Sequence, residues 1–257
     1  MNKGIYCILV LSVLLGCKRD APLYKITNLN GNKISVYGNG GMGVSFEYPI
    51  NSWESIEPCL RIGADGTELD VQLTQDSVLV AFHNSDLAES CPACSGLINN
   101  HSWSDISLCH YASPFSSGVI LRSVNDIFNK IDNVNQFTFT LDVKLYSDNP
   151  NTIAYKSQFA NAILRLMNDY HLTTQNIFIE SQDTTFLRIL KEKRPDLPTF
   201  IYPDNFQQGL AIAQAMHLYG ITIDNSKINA DEIALAHQQG IRITVWNLEN
   251  KADHLDA

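Results

Sequence analysis

The chain has 257 residues, enough for one large domain or two small ones. It carries 18 lysines and arginines against 27 aspartates and glutamates, so its formal net charge is −9. This balance, without clustered basic residues, excludes a nucleic-acid partner because phosphate contacts depend on grouped lysines and arginines. A composition of 45% hydrophobic and 18% charged residues excludes disorder as the main state.

The first residues have the pattern of an export signal. Lys3 precedes an apolar run, Ile5 to Leu15, that is too short to cross a bilayer as a helix. Its Leu-Leu-Gly-Cys ending resembles the bacterial lipoprotein box, in which the cysteine, here Cys17, is lipidated. We therefore predict a lipoprotein signal peptide at 1–16 and an anchor and linker at 17–32. We also predict that the protein is exported and lipid-anchored in the bacterial cell envelope, at the outer membrane or its periplasmic face. The alternatives are cleavage that leaves a thiol and a retained anchor.

Four more cysteines follow, and an exported protein meets oxidising conditions in which cysteines pair. An even number of four allows three pairings. We favour a disulfide between Cys94 and Cys109, with Cys91 and Cys59 as further disulfide candidates. The alternative is a zinc site built on Cys91-Pro-Ala-Cys94, although zinc usually takes two well-separated pairs of ligands.

Strand-like and helix-like segments alternate along 33–257. The predicted strands are rich in β-branched and aromatic residues: Ile34–Tyr37, Thr67–Leu73, Val78–Phe82, Phe137–Val143, Ile177–Ile179, Thr199–Tyr202, Ile221–Ile223 and Ile241–Trp246. The predicted helices lie between them: Ser52–Ile62, Ser123–Asp132, Thr152–Tyr170, Thr184–Lys193, Phe206–Leu218 and Ala230–Gln239. The strand Val78–Phe82 fits a hairpin-like extension, and the irregular, polar, cysteine-bearing residues at about 84–121 fit a surface insertion.

This alternation repeats about seven times and predicts an α/β fold with a parallel sheet. For a chain of this length we favour the TIM (β/α)8-type barrel. A doubly wound open sheet is the alternative, but no Gly-x-Gly-x-x-Gly follows a strand. Only 11 residues follow Trp246, too few for another strand, so we expect a barrel that lacks its eighth strand, the alternative being a natural reading frame that has been cut short.

Carboxylates lie in two neighbouring predicted strands. Glu68 and Asp70 are two residues apart in one strand, so both side chains point to the same face. A parallel barrel strand has no solvent face, and buried carboxylates repel each other unless a cation lies between them. Asp142 in the next parallel strand can supply a third oxygen ligand. Three carboxylates without a softer ligand indicate Mg²⁺ or Ca²⁺ rather than zinc.

Other candidates follow the strands at their C-terminal ends, where barrel enzymes have their active sites. His83 follows a strand and is a candidate general acid or base. Lys144, Glu180 and Trp246 are candidate substrate-binding residues, although Trp246 also fits a core aromatic. Asn39 with its glycines fits a simple turn as well as a site.

The segments that carry these residues resemble the glycerophosphodiester phosphodiesterase family. The most specific likeness is the block from Gly63 to His83, and supporting segments match at 38–41, 51–56, 141–144 and 243–247. The resemblance implies a phospholipase-C-like TIM barrel and one divalent cation. It also implies the reaction, in which a glycerophosphodiester is hydrolysed to sn-glycerol 3-phosphate and an alcohol such as choline or ethanolamine.

The resemblance also assigns roles position by position. Glu68 and Asp70 would bind the metal, and His83 would be one of two catalytic histidines. Asp142 stands where the family has a metal-binding glutamate, and Lys144 where it has a lysine near the phosphate.

The first motif departs from the family pattern. Asn39 takes the place of the other catalytic histidine, and Asn84 stands where an aspartate commonly follows the second. Asparagine only hydrogen-bonds near neutral pH, and one acid/base partner contributes about 10²–10⁴-fold in rate. Two functions therefore remain: a metal-dependent phosphodiesterase of reduced activity, and an impaired lipoprotein that binds a metal and a phosphodiester without turnover. A relative of phosphatidylinositol-type phospholipase C shares this chemistry but is not better matched.

Overall fold

A computed structural model of the chain describes residues 34–112 and 118–248, so the predicted signal, linker and Cys17 lie outside the described residues. The strands are β1 (Tyr37–Asn39), β2 (Gly66–Leu73), β3 (Leu79–Ala81), β4 (Arg122–Ser123), β5 (Thr138–Val143), β6 (Ile177–Ser181), β7 (Thr199–Ile201), β8 (Gly220–Asp224) and β9 (Arg242–Trp246). The helices are α1 (Trp53–Arg61), α2 (Trp103–Ile106), α3 (Val124–Phe128), α4 (Ile153–Asp169), α5 (Thr184–Lys193), α6 (Phe206–Met216) and α7 (Ala230–Gln238). None of these described helices is long and apolar enough to span a membrane.

A parallel sheet forms the centre of the fold, in the order β1-β2-β5-β6-β7-β8-β9. One edge of β2 is shared: its first half pairs with β1 and its second half with β3. The strands β3 and β4 continue antiparallel, which is the predicted hairpin-like extension. Within the described ranges β9 and β1 are not paired, so hydrogen bonds do not close the sheet. The prediction of a TIM-type α/β barrel with an incomplete strand set is confirmed.

The core of the barrel lies between this sheet and the helices that cover it. Phe139 of β5 packs on Phe128 of α3, with ring centroids 4.5 Å apart, and Phe159 of α4 packs on Phe186 of α5. Helices that follow barrel strands begin at residues whose side chains accept a backbone hydrogen bond: Ser52, Thr152, Asp183, Asn205 and Asn229. These caps fix the loops at the C-terminal edge of the sheet, where the candidate residues lie.

Two predicted elements have different bounds. The first strand was predicted at Ile34–Tyr37 but begins at Tyr37, because the Val36 amide donates to the Asp65 side chain at 2.9 Å and the ladder starts at the pair Tyr37–Gly66. Asn39 is therefore the last residue of β1 and not a turn residue beyond it. The predicted helix Ser123–Asp132 ends at Phe128.

The insertion between β3 and β4 has a hydrophobic cluster of its own, which the prediction of a polar surface segment missed. Buried side chains such as Leu87, Ile98 and Ile106 pack there with Phe82. The disulfide in this segment joins Cys94 to Cys109, the pairing that the sequence favoured over zinc.

The other two disulfide candidates are buried free thiols. Cys59 lies on α1 against the Gly38 backbone of the barrel, whereas Cys91 lies in the insertion cluster. The prediction that either forms a disulfide is therefore wrong, because the fold places them in different layers. Burial raises the pKa of the Cys91 thiol to about 11.

We expect the disulfide to stabilise the insertion. It spans a sequence separation of 15, for which loop closure is worth about 3 kcal/mol. The double variant Cys94→Ser/Cys109→Ser should therefore unfold at a lower temperature in a calorimetric scan, and Cys59→Ser provides a control without a lost bridge. An unchanged melting temperature would mean that the hydrophobic cluster alone holds the insertion.

Candidate active site

A cluster of carboxylates lies at the C-terminal half of three adjacent strands. Strand register places Asp70, Asp142 and Glu180 at one level on β2, β5 and β6. Glu68 lies two residues before Asp70, on the same face of β2. Carboxylate oxygens of Glu68, Asp70 and Asp142 all lie within 4.8 Å of one another.

Neighbouring groups hold these carboxylates in place. Lys144 Nζ lies 3.1 Å from Asp70 Oδ1 and 2.8 Å from Asp142 Oδ2. Asn51 Nδ2 donates to Asp70 Oδ2 at 2.8 Å, and the Asp70 amide donates back to Asn51 Oδ1 at 3.0 Å. The Gly40 amide donates to Glu68 Oε2 at 3.1 Å. The other oxygen of Glu68 is buried and has no hydrogen-bonding partner among the described residues.

Burial and mutual repulsion shift the titration of this cluster. Burial, with repulsion from Asp70, Asp142 and Glu180, raises the pKa of Glu68 well above its usual range. Burial and then Asp142 raise the pKa of Glu180 to about 8. Burial also raises the pKa of Asp142, although Lys144 opposes this shift. Partial burial lowers the pKa of Lys144, but the two aspartates outweigh this and raise it above the ordinary value. One ammonium group therefore does not neutralise the cluster.

The residues present fit a hard divalent cation. Glu68, Asp70 and Asp142 offer only oxygen ligands, which Mg²⁺ and Ca²⁺ prefer. The buried oxygen of Glu68 has no other partner in the described part of the chain. A divalent ion would supply that partner and the missing positive charge.

His83 follows β3 at the edge of this cluster and is exposed. Its Nδ1 lies 2.8 Å from Asn84 Oδ1, while Asn84 Nδ2 donates to Ser90 Oγ at 3.0 Å. Because the amide nitrogen of Asn84 is used by Ser90, its oxygen faces the ring, and we assign the proton to Nδ1 of His83. Gln72 Nε2 donates to the carbonyls of Phe82 and Asn84 and so fixes the backbone on both sides of the histidine. Nε2 is then the ring nitrogen that carries no proton and can accept one.

Two more predicted residues lie around the cluster. Asn39 is exposed at the end of β1, in register with Glu68. Trp246 ends β9, and its ring centroid lies 5.6 Å from that of Tyr202. Tyr202 follows β7, so both rings lie at the C-terminal edge of the sheet, and burial and then Asp142 raise the pKa of Tyr202. The indole Nε1 of Trp246 is buried and has no partner within the described ranges.

Comparison with known proteins identifies the family. The model of the glycerophosphoryl diester phosphodiesterase family matches residues 42–256. The chain belongs to this family. The match begins after Asn39, so it rests on the carboxylate strands, the histidine segment and the later barrel.

Individual members of the glycerophosphodiester phosphodiesterase family are distant in sequence. The enzyme of that name from Caldanaerobacter subterraneus is 20% identical over 212 residues, which cover 82% of this chain and 85% of the relative. A solved phosphodiesterase from Oleispira antarctica, in complex with the product sn-glycerol-3-phosphate, has a TM-score of 0.72 at 15% identity, covering 86% of this chain and 87% of that one. A glycerophosphodiester phosphodiesterase structure from Agrobacterium tumefaciens has a TM-score of 0.71 at 18% identity, covering 86% and 90% of the two chains. These structures share the barrel fold.

Sequence reasoning missed the part of Asn51 in this phosphodiesterase site and gave Tyr202 no role. Asn51 lies in one of the segments that resemble the family, but its hydrogen bonds to Asp70 were not foreseen. The sequence shows only that Asn51 precedes the capping residue Ser52; the structure adds its φ of 65°, a left-handed conformation that asparagine tolerates. Tyr202 was among the strand-end candidates but received no role, because its contact with Trp246 depends on packing between β7 and β9.

Proposed function

We propose that this chain hydrolyses glycerophosphodiesters, with a divalent cation, to sn-glycerol 3-phosphate and an alcohol. The observation that carries the proposal is the cluster of Glu68, Asp70 and Asp142 with Lys144, in a chain of the glycerophosphodiester phosphodiesterase family. The product bound to the Oleispira antarctica phosphodiesterase supports the same product here. The related proteins give no support to a binding protein without turnover.

The side chains have separable roles in this reaction. When bound by Glu68, Asp70 and Asp142, a Ca²⁺ or Mg²⁺ ion would neutralise phosphate charge and lower the pKa of an attacking hydroxyl. Lys144 adds a second positive charge beside the phosphate, since its ammonium group already faces two of these carboxylates.

Proton transfer falls to His83, which accepts a proton at Nε2 or, once protonated, donates it to the leaving alcohol. Asn39 can form hydrogen bonds but exchanges no proton, so a water molecule takes the place of the second acid/base group. Glu180 and Trp246 line the substrate site, the former at the level of Asp142 on β6 and the latter at the end of β9 beside Tyr202.

We also propose that the enzyme is exported and lipid-anchored through Cys17, with 1–16 as its signal peptide and 17–32 as its anchor and linker. The disulfide between Cys94 and Cys109 supports export, because disulfides persist in oxidising compartments. The Cys17→Ser variant should move the protein from the membrane fraction of a bacterial host to the soluble fraction. Retention in the membrane fraction would rule out this anchor.

The function is tested by release of glycerol 3-phosphate from glycerophosphocholine and glycerophosphoethanolamine. Residues 18–257 are assayed with Mg²⁺, with Ca²⁺ and with EDTA. Release that depends on the cation supports the proposal. If neither substrate is cleaved with either cation, the proposed activity is wrong.

We expect His83→Ala to lower kcat by about 10²–10⁴-fold, because it removes the proton-transfer group. Asn84→Leu should lower kcat by about tenfold through the loss of one orienting hydrogen bond. His101→Ala is the matched control, since that half-buried ring hydrogen-bonds to the Ser95 carbonyl of the insertion. Equal activity of the His83 variant and this control would remove His83 from the mechanism.

A further inference from the structure

The ammonium group of Lys144 lies between two of the three carboxylates that could hold the divalent cation. Its Nζ is 3.1 Å from Asp70 Oδ1 and 2.8 Å from Asp142 Oδ2. Both aspartates belong to the candidate metal cluster, whose carboxylate oxygens lie within 4.8 Å of one another. The lysine therefore bonds to the same two side chains that the cation would use.

Both oxygens of Asp70 have partners. Oδ1 faces Lys144, and Oδ2 accepts a hydrogen bond from Asn51 Nδ2 at 2.8 Å. Asn51 is 1% exposed, and its Oδ1 accepts a second hydrogen bond from the Asp70 amide, so this partner is held in place. Of the two partners of Asp70, Lys144 is the one that can give way to a cation.

The side chain of Lys144 can move while its backbone stays fixed. The Lys144 amide donates to the Val71 carbonyl at 3.0 Å, just beyond the end of β5. The four-carbon stem has rotatable bonds, and an ammonium group binds as a point charge rather than in one fixed geometry. The side chain is 17% exposed, so part of it already reaches solvent.

An ammonium group and a divalent cation repel each other when they share the same carboxylates. Like charges about 4 Å apart interact strongly where water is partly excluded, and a double charge doubles the effect. Glu68 is free of this competition, because its Oε2 accepts from the Gly40 amide and its buried Oε1 has no partner in the described part of the chain. The two aspartates become fully available only when the ammonium group withdraws.

We propose that Lys144 is a place-holder for the divalent cation: it neutralises Asp70 and Asp142 until the cation binds, and its ammonium group then turns toward the substrate phosphate. Only this last step rests on the proposed function, which brings a phosphate to the cluster. The movement couples the two ligands. Cation binding frees the ammonium group for phosphate, and phosphate draws it away from the aspartates, so each ligand strengthens the binding of the other.

The first test is a calorimetric titration of residues 18–257 with Ca²⁺ near pH 8, without substrate. Lys144→Met removes the competing charge and should lower the Kd for Ca²⁺ at least about tenfold. Lys144→Arg should raise this Kd, because a guanidinium group binds carboxylates at two points and is harder to displace. Lys191→Met is the matched control for the loss of one charge, since that lysine bonds to the Pro195 carbonyl at the end of α5.

A lysine that only orients the aspartates gives the opposite pattern. Lys144→Met would then weaken Ca²⁺ binding and Lys144→Arg would preserve it, and this result overturns the proposal. A Kd that neither variant changes, or a lack of Ca²⁺ binding by all of these proteins, overturns it as well.

A second titration with Ca²⁺ contains saturating glycerol 3-phosphate. The phosphate should lower the Kd for Ca²⁺ by a larger factor in the unmodified chain than in Lys144→Met, where no ammonium group remains to be drawn away. Equal factors overturn the coupling. The first titration needs no turnover, so its expected result supports the place-holder even if no diester is cleaved, an outcome that contradicts only the proposed function.

Discussion

Replacement of Asn39 by histidine should raise kcat by about 10²–10⁴-fold, the usual contribution of one acid/base group. The residue ends β1 in register with Glu68 and is exposed, so a larger ring has room. The adjacent Gly40 amide is bonded to Glu68, which holds the end of the strand beside the carboxylates. A histidine there exchanges protons near neutral pH, whereas an amide does not. The measurement is glycerol 3-phosphate release at saturating substrate and cation.

Asn39→Gln is the control for this substitution. It enlarges the side chain and keeps the amide, so it should not raise kcat. A gain that requires histidine means that the barrel is intact and lacks only a second proton-transfer group. If Asn39→His is no faster than the unmodified chain, Asn39 is not the position of the missing partner, or water already serves it without loss.

The sequence predicted the barrel because each strand and each helix is marked by a pattern of neighbouring residues. Runs of β-branched residues and capped, one-sided helices alternate along 123–246, and the observed bounds there mostly agree with the predicted ones. The spacing of Glu68 and Asp70 fixed their common face without any knowledge of the fold. The first strand was misplaced because Val36 is as β-prone as Tyr37, and only the pairing with Gly66 decides where the ladder begins.

Contacts between segments distant in the sequence were less predictable. Nothing in the strand pattern says that Asn51 bonds to Asp70, or that Trp246 meets Tyr202. The cysteine pairing also depends on distant contacts. The even number of cysteines makes Cys59 a candidate disulfide partner, and only its place on α1 excludes it. The cluster of Glu68, Asp70 and Asp142 was predictable as a candidate metal site, because carboxylates buried inside a barrel repel one another unless a cation lies between them.

The metal-free protein should lose stability as the pH rises from about 5 to about 8. The pKa of Glu180 is raised to about 8, and that of Glu68 is raised well above its range, while an unfolded glutamate titrates near pH 4.3. Between these values the folded state binds more protons than the unfolded state, so the free energy of unfolding falls with pH. Thermal unfolding in EDTA across this range measures the effect. A melting temperature that rises over the same range would contradict the shifts.

Ca²⁺ or Mg²⁺ should reverse that loss, because a cation binds only the deprotonated carboxylates. The rise in melting temperature on adding Ca²⁺ should thus be larger near pH 8 than near pH 5. Glu68→Gln removes one metal ligand, so it should abolish this rise in melting temperature and lower kcat by at least about 10³-fold. It also removes one repelling charge, so the metal-free variant should be more stable than the unmodified chain near pH 8. Glu192→Gln, far from the cluster, should behave as the unmodified chain. A Glu68 variant that loses activity but keeps the full Ca²⁺ response would place the ion elsewhere, and the buried oxygen of Glu68 would then need another partner.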